Sequence, residues 1–247
     1  MTESDSFTVL HNYRKATASE ETAIWNYKGL EIHAVPQIHD HVGEIVRSSL
    51  PKGSLVLDLA AGSGAMCQRL KDLGMVPTGT DLVPENFRLH SEVDFFTANL
   101  NDELPAHLLG MFDCVTSTEL IEHIENPRHL IRQCWRLVRP GGMVVISTPN
   151  TQSSIALAQY IRTGDFRWFT PVEYRRDGHI NPILLPVLKN ALEETGFVET
   201  RIDSILRLRF PGFTWWKMRL LAWVLRLVSA RPLYEGDFIV VSTRRPR

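Results

Sequence analysis

Three cysteines in 247 residues, no long apolar run and almost no net charge remove several functions at once. Cys67, Cys114 and Cys134 have no metal-motif spacing and fall in expected core elements, so they read as buried thiols of a reducing compartment. No charge-free run of about 18 apolar residues occurs, so no segment is expected to span a bilayer. The opening Met1-Thr-Glu-Ser-Asp-Ser has neither a basic start nor an apolar centre, so a signal peptide is not expected. A cytoplasmic setting is the expectation from these features. A net charge of −1 gives no overall basic field, so no nucleic-acid partner is expected either. Basic character is local, collecting late at Arg201, Arg207, Arg209, Lys217, Arg219, Arg226 and Arg231. With 44% apolar and 22% charged residues, the chain has the balance of a folded globular protein, and its length suits one α/β domain with additions.

What is present begins at Ser54-Leu-Val-Leu-Asp58-Leu-Ala60-Ala-Gly62-Ser-Gly64. A short apolar run ends in an acid, and a turn of small residues then opens a helix. Buried parallel strands read as such continuous runs. The crevice at the carboxyl ends of such strands is where nucleotide-like ligands sit. The dinucleotide fingerprint requires a third glycine, and Cys67 stands in its place. Further apolar runs predict strands at 76–80, 93–97, 112–117, 143–148, 200–205 and 237–243, with helices at 65–73, about 126–138 and 183–195. Pro127 suits a helix start, while Gly141-Gly142 and Gly196 suit helix ends. Strands alternating with helices imply a mostly parallel α/β sheet. Residues 1–17 are polar and loose, and 18–50 read as helical with a break near Pro36. The expected division is therefore a helical cap over 1–50 and an α/β domain over 51–247, with a hydrophobic helical insertion at about 211–233.

The segment from Asp58 to Gly64 resembles the first motif of class I S-adenosylmethionine-dependent methyltransferases, with Ala60 in the first glycine position. A second stretch strengthens this. Phe112-Asp-Cys-Val-Thr-Ser-Thr118-Glu119-Leu-Ile-Glu122-His123, Arg139-Pro-Gly-Gly and Ser147-Thr-Pro-Asn150 are similar to the ubiquinone-biosynthesis O-methyltransferase type and its type 11, 12 and 23 relatives. The resemblance implies a Rossmann-like, seven-stranded, mostly parallel sheet with helices on both faces and an antiparallel last hairpin. It implies S-adenosylmethionine as cofactor, held by Asp58, Ala60, Gly62, Gly64 and by Asp81, which would accept the ribose hydroxyls. Asp81 could instead cap a helix. Leu82 stands beside it. Asn99 and Leu100 fall where relatives usually bind adenine with an acid; Asn99 can accept without charge, or simply shape its own turn. Thr118 lies beside the methionine part of the cofactor or caps the short helix that follows.

Glu119, Glu122 and His123 have the i, i+3, i+4 spacing that shares one helical face. In some similar enzymes this pattern binds Mg²⁺ or another divalent ion that activates a hydroxyl. In others the histidine acts as a metal-free base, or the group is structural. His179 could complete either arrangement from a distant loop. His33, His39 and His41 lack ligand spacing around Pro36. Trp25, Tyr27, Trp168, Phe169 and Tyr174 either roof the acceptor pocket or pack helices. Residues 213–230 are apolar over most of a helical circumference, with Arg219 and Arg226 nearly in line. That segment could pack in the core, join a homodimer, or lie at a membrane surface. The expected activity is O-methylation of a small molecule, prenylated ring or lipid-linked sugar. An RNA 2′-O-methyltransferase and a non-catalytic cofactor-binding protein are the alternatives. A nicotinamide oxidoreductase is disfavoured by the missing third glycine and the lack of a Tyr-x-x-x-Lys pair.

Overall fold

The computed structural model describes residues 25–205 and 215–247. The expected loose stretch at 1–17, the start of the 18–50 region, and residues 206–214, which include Arg207, Arg209 and the start of the expected insertion at 211–233, lie outside them. Parallel β strands form the centre: β3 (Leu55–Leu59), β4 (Val76–Asp81), β5 (Asp94–Thr97), β6 (Phe112–Ser117) and β7 (Val138–Pro149). β8 (Val198–Ile205) and β9 (Phe238–Arg244) complete a seven-stranded sheet in the order β5-β4-β3-β6-β7-β9-β8. β9 runs antiparallel to both β7 and β8, and the other pairings are parallel.

The N-terminal expectation needs correction. Residues 26–31 form a two-stranded hairpin, β1 (Asn26–Tyr27) with β2 (Leu30–Glu31), and not a helix. Lys28 and Gly29 both have positive φ, 53° and 84°, the geometry of a tight hairpin turn. Pro36 does not break a helix but starts one, α1 (Pro36–Ser49), where its missing N–H costs nothing.

Helices cover both faces because the strands alternate. Val56, Cys114, Val145 and Val240 point to one side, where Ile38, Val42 and Val46 of α1 and Met66 and Leu70 of α2 (Ala65–Asp72) pack. Leu57, Leu59, Val115, Val144, Ile146 and Ile239 point to the other. There they meet α3 (Pro127–Leu137) and α6 (Leu185–Thr195) through Leu130, Ile131, Leu188 and Leu192. α4 (Ser154–Thr163) and α5 (Pro171–Arg176) follow β7, and α7 (Trp215–Val228) packs on α4 between β8 and β9. The three cysteines are buried free thiols, and burial holds that of Cys134 up at about 12. Leu130→Ala empties a fully buried position and should cost about 2–5 kcal/mol in a denaturant titration. Leu220→Ala, on an exposed surface, should stay within about 0.5 kcal/mol.

Candidate active site

The turn after β3 is held by backbone geometry. Ala60, Gly62 and Gly64 have φ of 55°, 52° and 93°, a left-handed region that glycine enters freely and alanine only under strain. The space that glycine leaves is taken by the protein itself. A Cβ on Gly62 would lie 2.9 Å from the His33 ring, and one on Gly64 would lie 3.0 Å from Phe87 and Leu89. Asp81 closes the turn, accepting the Gly62 N–H at 2.8 Å and the Val83 N–H at 2.9 Å. Each carboxylate oxygen keeps a second acceptor position. Asp58, in contrast, is buried beneath the turn and accepts from the Thr116 hydroxyl at 2.8 Å and the Cys67 thiol at 3.7 Å. Burial pushes its carboxyl up to about 7. Leu82 is exposed and Leu100 buried, and the Asn99 side chain accepts the Asn101 N–H at 3.1 Å, the local turn bond. Thr118 caps no helix; its hydroxyl is buried without a hydrogen-bond partner among the described residues, as are those of Thr80 and Ser117.

The Glu119–Glu122–His123 face does not form as its spacing suggests. Ile121–His123 is a single turn of 3₁₀ helix, with three residues per turn, and Glu119 precedes it with φ of 48°. Glu119 turns to Ser147 at the end of β7, whose hydroxyl donates to its Oε1 at 2.7 Å. Its place is taken by His179. One potential ligand atom from each of Glu122, His123 and His179 lies within 4.8 Å of the others. The two imidazole rings meet edge to face, 4.9 Å apart.

The protonation pattern of this cluster follows from its partners. His123 Nδ1 lies 3.1 Å from the Gly178 carbonyl, and His179 Nδ1 lies 2.6 Å from that of Trp168. A carbonyl only accepts, so each Nδ1 is placed to donate, which leaves Nε2 as the nitrogen able to offer a lone pair; the Glu119 carbonyl also lies in hydrogen-bond reach of the His123 ring. Glu122 is fully buried, and its Oε2 accepts from the Thr148 hydroxyl at 2.9 Å. Its Oε1 is buried with no hydrogen-bond partner among the described residues. Burial raises the Glu122 carboxyl to about 8, and burial together with Glu122 raises Glu119 well above the usual range. Burial and the neighbouring His179 lower His123 to about 4.

Ser147, Thr148 and the carbonyls of Trp168 and Gly178 were not assigned roles from sequence, and backbone carbonyls leave no sequence signal. Phe169 lies 5.3 Å from the His179 ring, whereas Trp25 and Tyr174 are exposed and Tyr27 donates to Asp72 at 2.7 Å. His33, His39 and His41 diverge: His39 is buried, His41 bonds Asp203 at 3.0 Å, and His33 covers Gly62. A cleft of about 400 Å³ lined by Arg128, Arg132, Trp135 and Glu194 includes none of the site residues.

A family model described as a methyltransferase domain matches residues 36–201. The chain belongs to this methyltransferase family. It is 39% identical over 117 residues to the ubiquinone biosynthesis O-methyltransferase of Xanthomonas axonopodis pv. citri, covering 44% of this chain and 48% of that protein. With the enzyme of the same name from Xanthomonas campestris pv. campestris, identity is 37% over 146 residues, or 54% and 59% of the two chains. This methyltransferase thus spans about half the length of the curated relatives it matches. Among solved structures, the S-adenosylmethionine-dependent methyltransferase of Archaeoglobus fulgidus superposes with a TM-score of 0.55 at 18% identity, covering 83% and 93%. Phosphoethanolamine N-methyltransferase 2 of Haemonchus contortus, in complex with S-adenosyl-L-methionine, gives 0.58 at 14%, covering 96% and 57%. At these identities the likeness is one of fold.

Family membership implies S-adenosylmethionine, and the strand ends fit it. Ala60 is exposed, Asp81 has acceptor capacity left, and the hydroxyls of Thr80, Ser117 and Thr118 lack partners among the described residues. Calorimetry should show one molecule of S-adenosylmethionine bound per chain and no binding of NADH. Asp81→Ala should weaken it at least about tenfold, roughly 1.4 kcal/mol. Asp58 supplies a second test. Its raised carboxyl binds a proton more tightly in the folded state, so it contributes stability in acid that is lost as pH climbs from about 4 to about 7. Asp58→Asn should flatten that part of a stability-against-pH curve.

Proposed function

We propose that this methyltransferase methylates a hydroxyl on a small or lipid-linked acceptor, and that Glu122, His123 and His179 hold a divalent ion beside that hydroxyl. The observation that carries the reading is the buried Oε1 of Glu122, without a hydrogen-bond partner among the described residues, on a side chain that offers a ligand atom within 4.8 Å of one from each of His123 and His179. A buried carboxylate oxygen that accepts no hydrogen bond is costly, and a cation beside it offsets that cost. Imidazoles that donate their other N–H to backbone carbonyls are oriented as metal ligands usually are. Two nitrogens and one oxygen favour Mn²⁺ or Zn²⁺ over Mg²⁺.

His123 alone is a poor base for this task. At about 4 its pKa lies far below that of a phenolic hydroxyl, about 10, so few protons would transfer to it. A divalent ion supplies a Lewis acid that lowers the pKa of a hydroxyl beside it. S-adenosylmethionine supplies a methyl already electrophilic on its sulfonium sulfur. The chain's part is alignment, which can contribute several kcal/mol by removing the entropy cost of encounter. Phe169 gives an aromatic wall beside His179 for an apolar acceptor. The names of the relatives, O-methyltransferases of ubiquinone biosynthesis, support oxygen as the methylated atom.

Chelation should abolish turnover on a hydroxylated acceptor, and added Mn²⁺ or Zn²⁺ should restore it, while S-adenosylmethionine still binds. His123→Ala should lower turnover about 10²–10⁴-fold. Turnover that resists chelation but collapses in His123→Ala would replace the ion by a histidine base. Unchanged turnover in both experiments would leave the cluster structural.

A further inference from the structure

The late helix α7 presents two unlike faces. Met218, Leu221, Ala222 and Leu225 pack on Ile155 and Ala158 of α4, forming a small core of their own. Arg226 ties the helix down from its edge, donating to Glu235 at 2.7 Å and to the Ser154 hydroxyl at 3.2 Å. The opposite side is open. Trp216, Leu220, Trp223 and Leu227 fall within about 60° of one another at 100° per residue, and they are 52%, 53%, 56% and 65% exposed. Val224 and Val228 widen this ridge. Monomeric proteins seldom leave so continuous an apolar strip uncovered.

The charges beside the strip say what covers it. Arg219 flanks it on one side, at about 60° from Trp216 around the axis, and Lys217, at about 100° the other way, sits on the border that Val224 and Val228 form. Neither makes an ion pair among the described residues, and the helix contains no acid. A second copy of this helix laid against the face would bring cations toward cations with no acid of the helix to neutralise them. An anionic lipid surface is complementary at each point. It takes the aliphatic ridge, it accepts tryptophans at the boundary of headgroup and acyl chain, and its phosphates pair the flanking cations. Crossing is excluded for this element, because fourteen residues of helix reach roughly 21 Å against about 30 Å of hydrocarbon. No helix among the described residues is long and apolar enough to cross a membrane.

We infer that α7 docks this methyltransferase flat on an anionic membrane surface through Trp216, Leu220, Trp223 and Leu227, with Lys217 and Arg219 on lipid phosphates. The test is sedimentation of the full chain with vesicles of phosphatidylcholine alone and of equal parts phosphatidylcholine and phosphatidylglycerol. The chain should sediment with the mixed vesicles, stay in solution with the neutral ones, and be released by salt. Trp216→Ser with Trp223→Ser, and separately Lys217→Glu with Arg219→Glu, should each lower partitioning at least about tenfold. These side chains are exposed, so both variants should keep the wild-type melting temperature and affinity for S-adenosylmethionine. Failure of the wild type to sediment with anionic vesicles would overturn the inference, as would wild-type sedimentation by both variants. So would a dimer in solution that the tryptophan changes dissociate without any lipid binding; the occupant would then be a second copy.

Discussion

The site depends on one clamp between segments far apart in sequence. The carbonyl of Glu122 accepts the N–H groups of both Ile180 and Asn181, at 3.1 and 2.9 Å. The Asn181 side chain donates to the Ile124 carbonyl, and His123 bonds the carbonyl of Gly178. Together these bonds lock the loop after α5 onto the turn after β6. These bonds hold the loop where the His179 ring meets that of His123, and Glu122, which carries the accepting carbonyl, is fully buried. Its low-dielectric surroundings shift both groups: a carboxyl raised to about 8, with one oxygen lacking a hydrogen-bond partner among the described residues, next to an imidazole lowered to about 4. Strain concentrates in the same region. Of the five non-glycine residues at positive φ among the described residues, three, Ala60, Glu119 and Trp168, border the strand ends or the clamp, while Lys28 and Glu199 lie in the N-terminal hairpin and β8.

The sheet makes the clamp possible by bringing the ends of β6 and β7 side by side. Ser147 and Thr148, the paired hydroxyls near the end of β7, reach across to Glu119 and Glu122. β3 and β4 contribute the other half of the site, the glycine turn closed by Asp81. The apolar alternation of Val56 and Leu57, or of Val144 and Val145, anchors both halves by burying each strand on two helical layers.

Much of this was legible in the chain. The central strands were readable because their apolar runs are continuous and their ends carry punctuating glycines and acids. The glycine turn was readable because no other residue enters that backbone region without strain. The N-terminal hairpin was missed because its turn is Lys28-Gly29, without the Asn or Asp that usually announces such a turn. Glu119 was misplaced because a spacing of three and four residues implies a shared face only on an α-helix, and the turn here is tighter. The placement of Asp58 could not be read, since its buried partners Thr116 and Cys67 come from a neighbouring strand and helix. His179 was a candidate from the sequence, but the Trp168 carbonyl that seats its ring left no signal there, since every residue has one.

If the clamp exists to build a cation site, the most direct measurement is a crystal structure with S-adenosylhomocysteine and Mn²⁺, with the metal located by its anomalous scattering. The account predicts one peak among Glu122, His123 and His179, with Glu122 Oε1 as its carboxylate ligand and the nucleoside at the Ala60–Gly64 turn. Nucleoside density at that turn with no metal peak at the three side chains, under Mn²⁺ concentrations that support turnover, would contradict it.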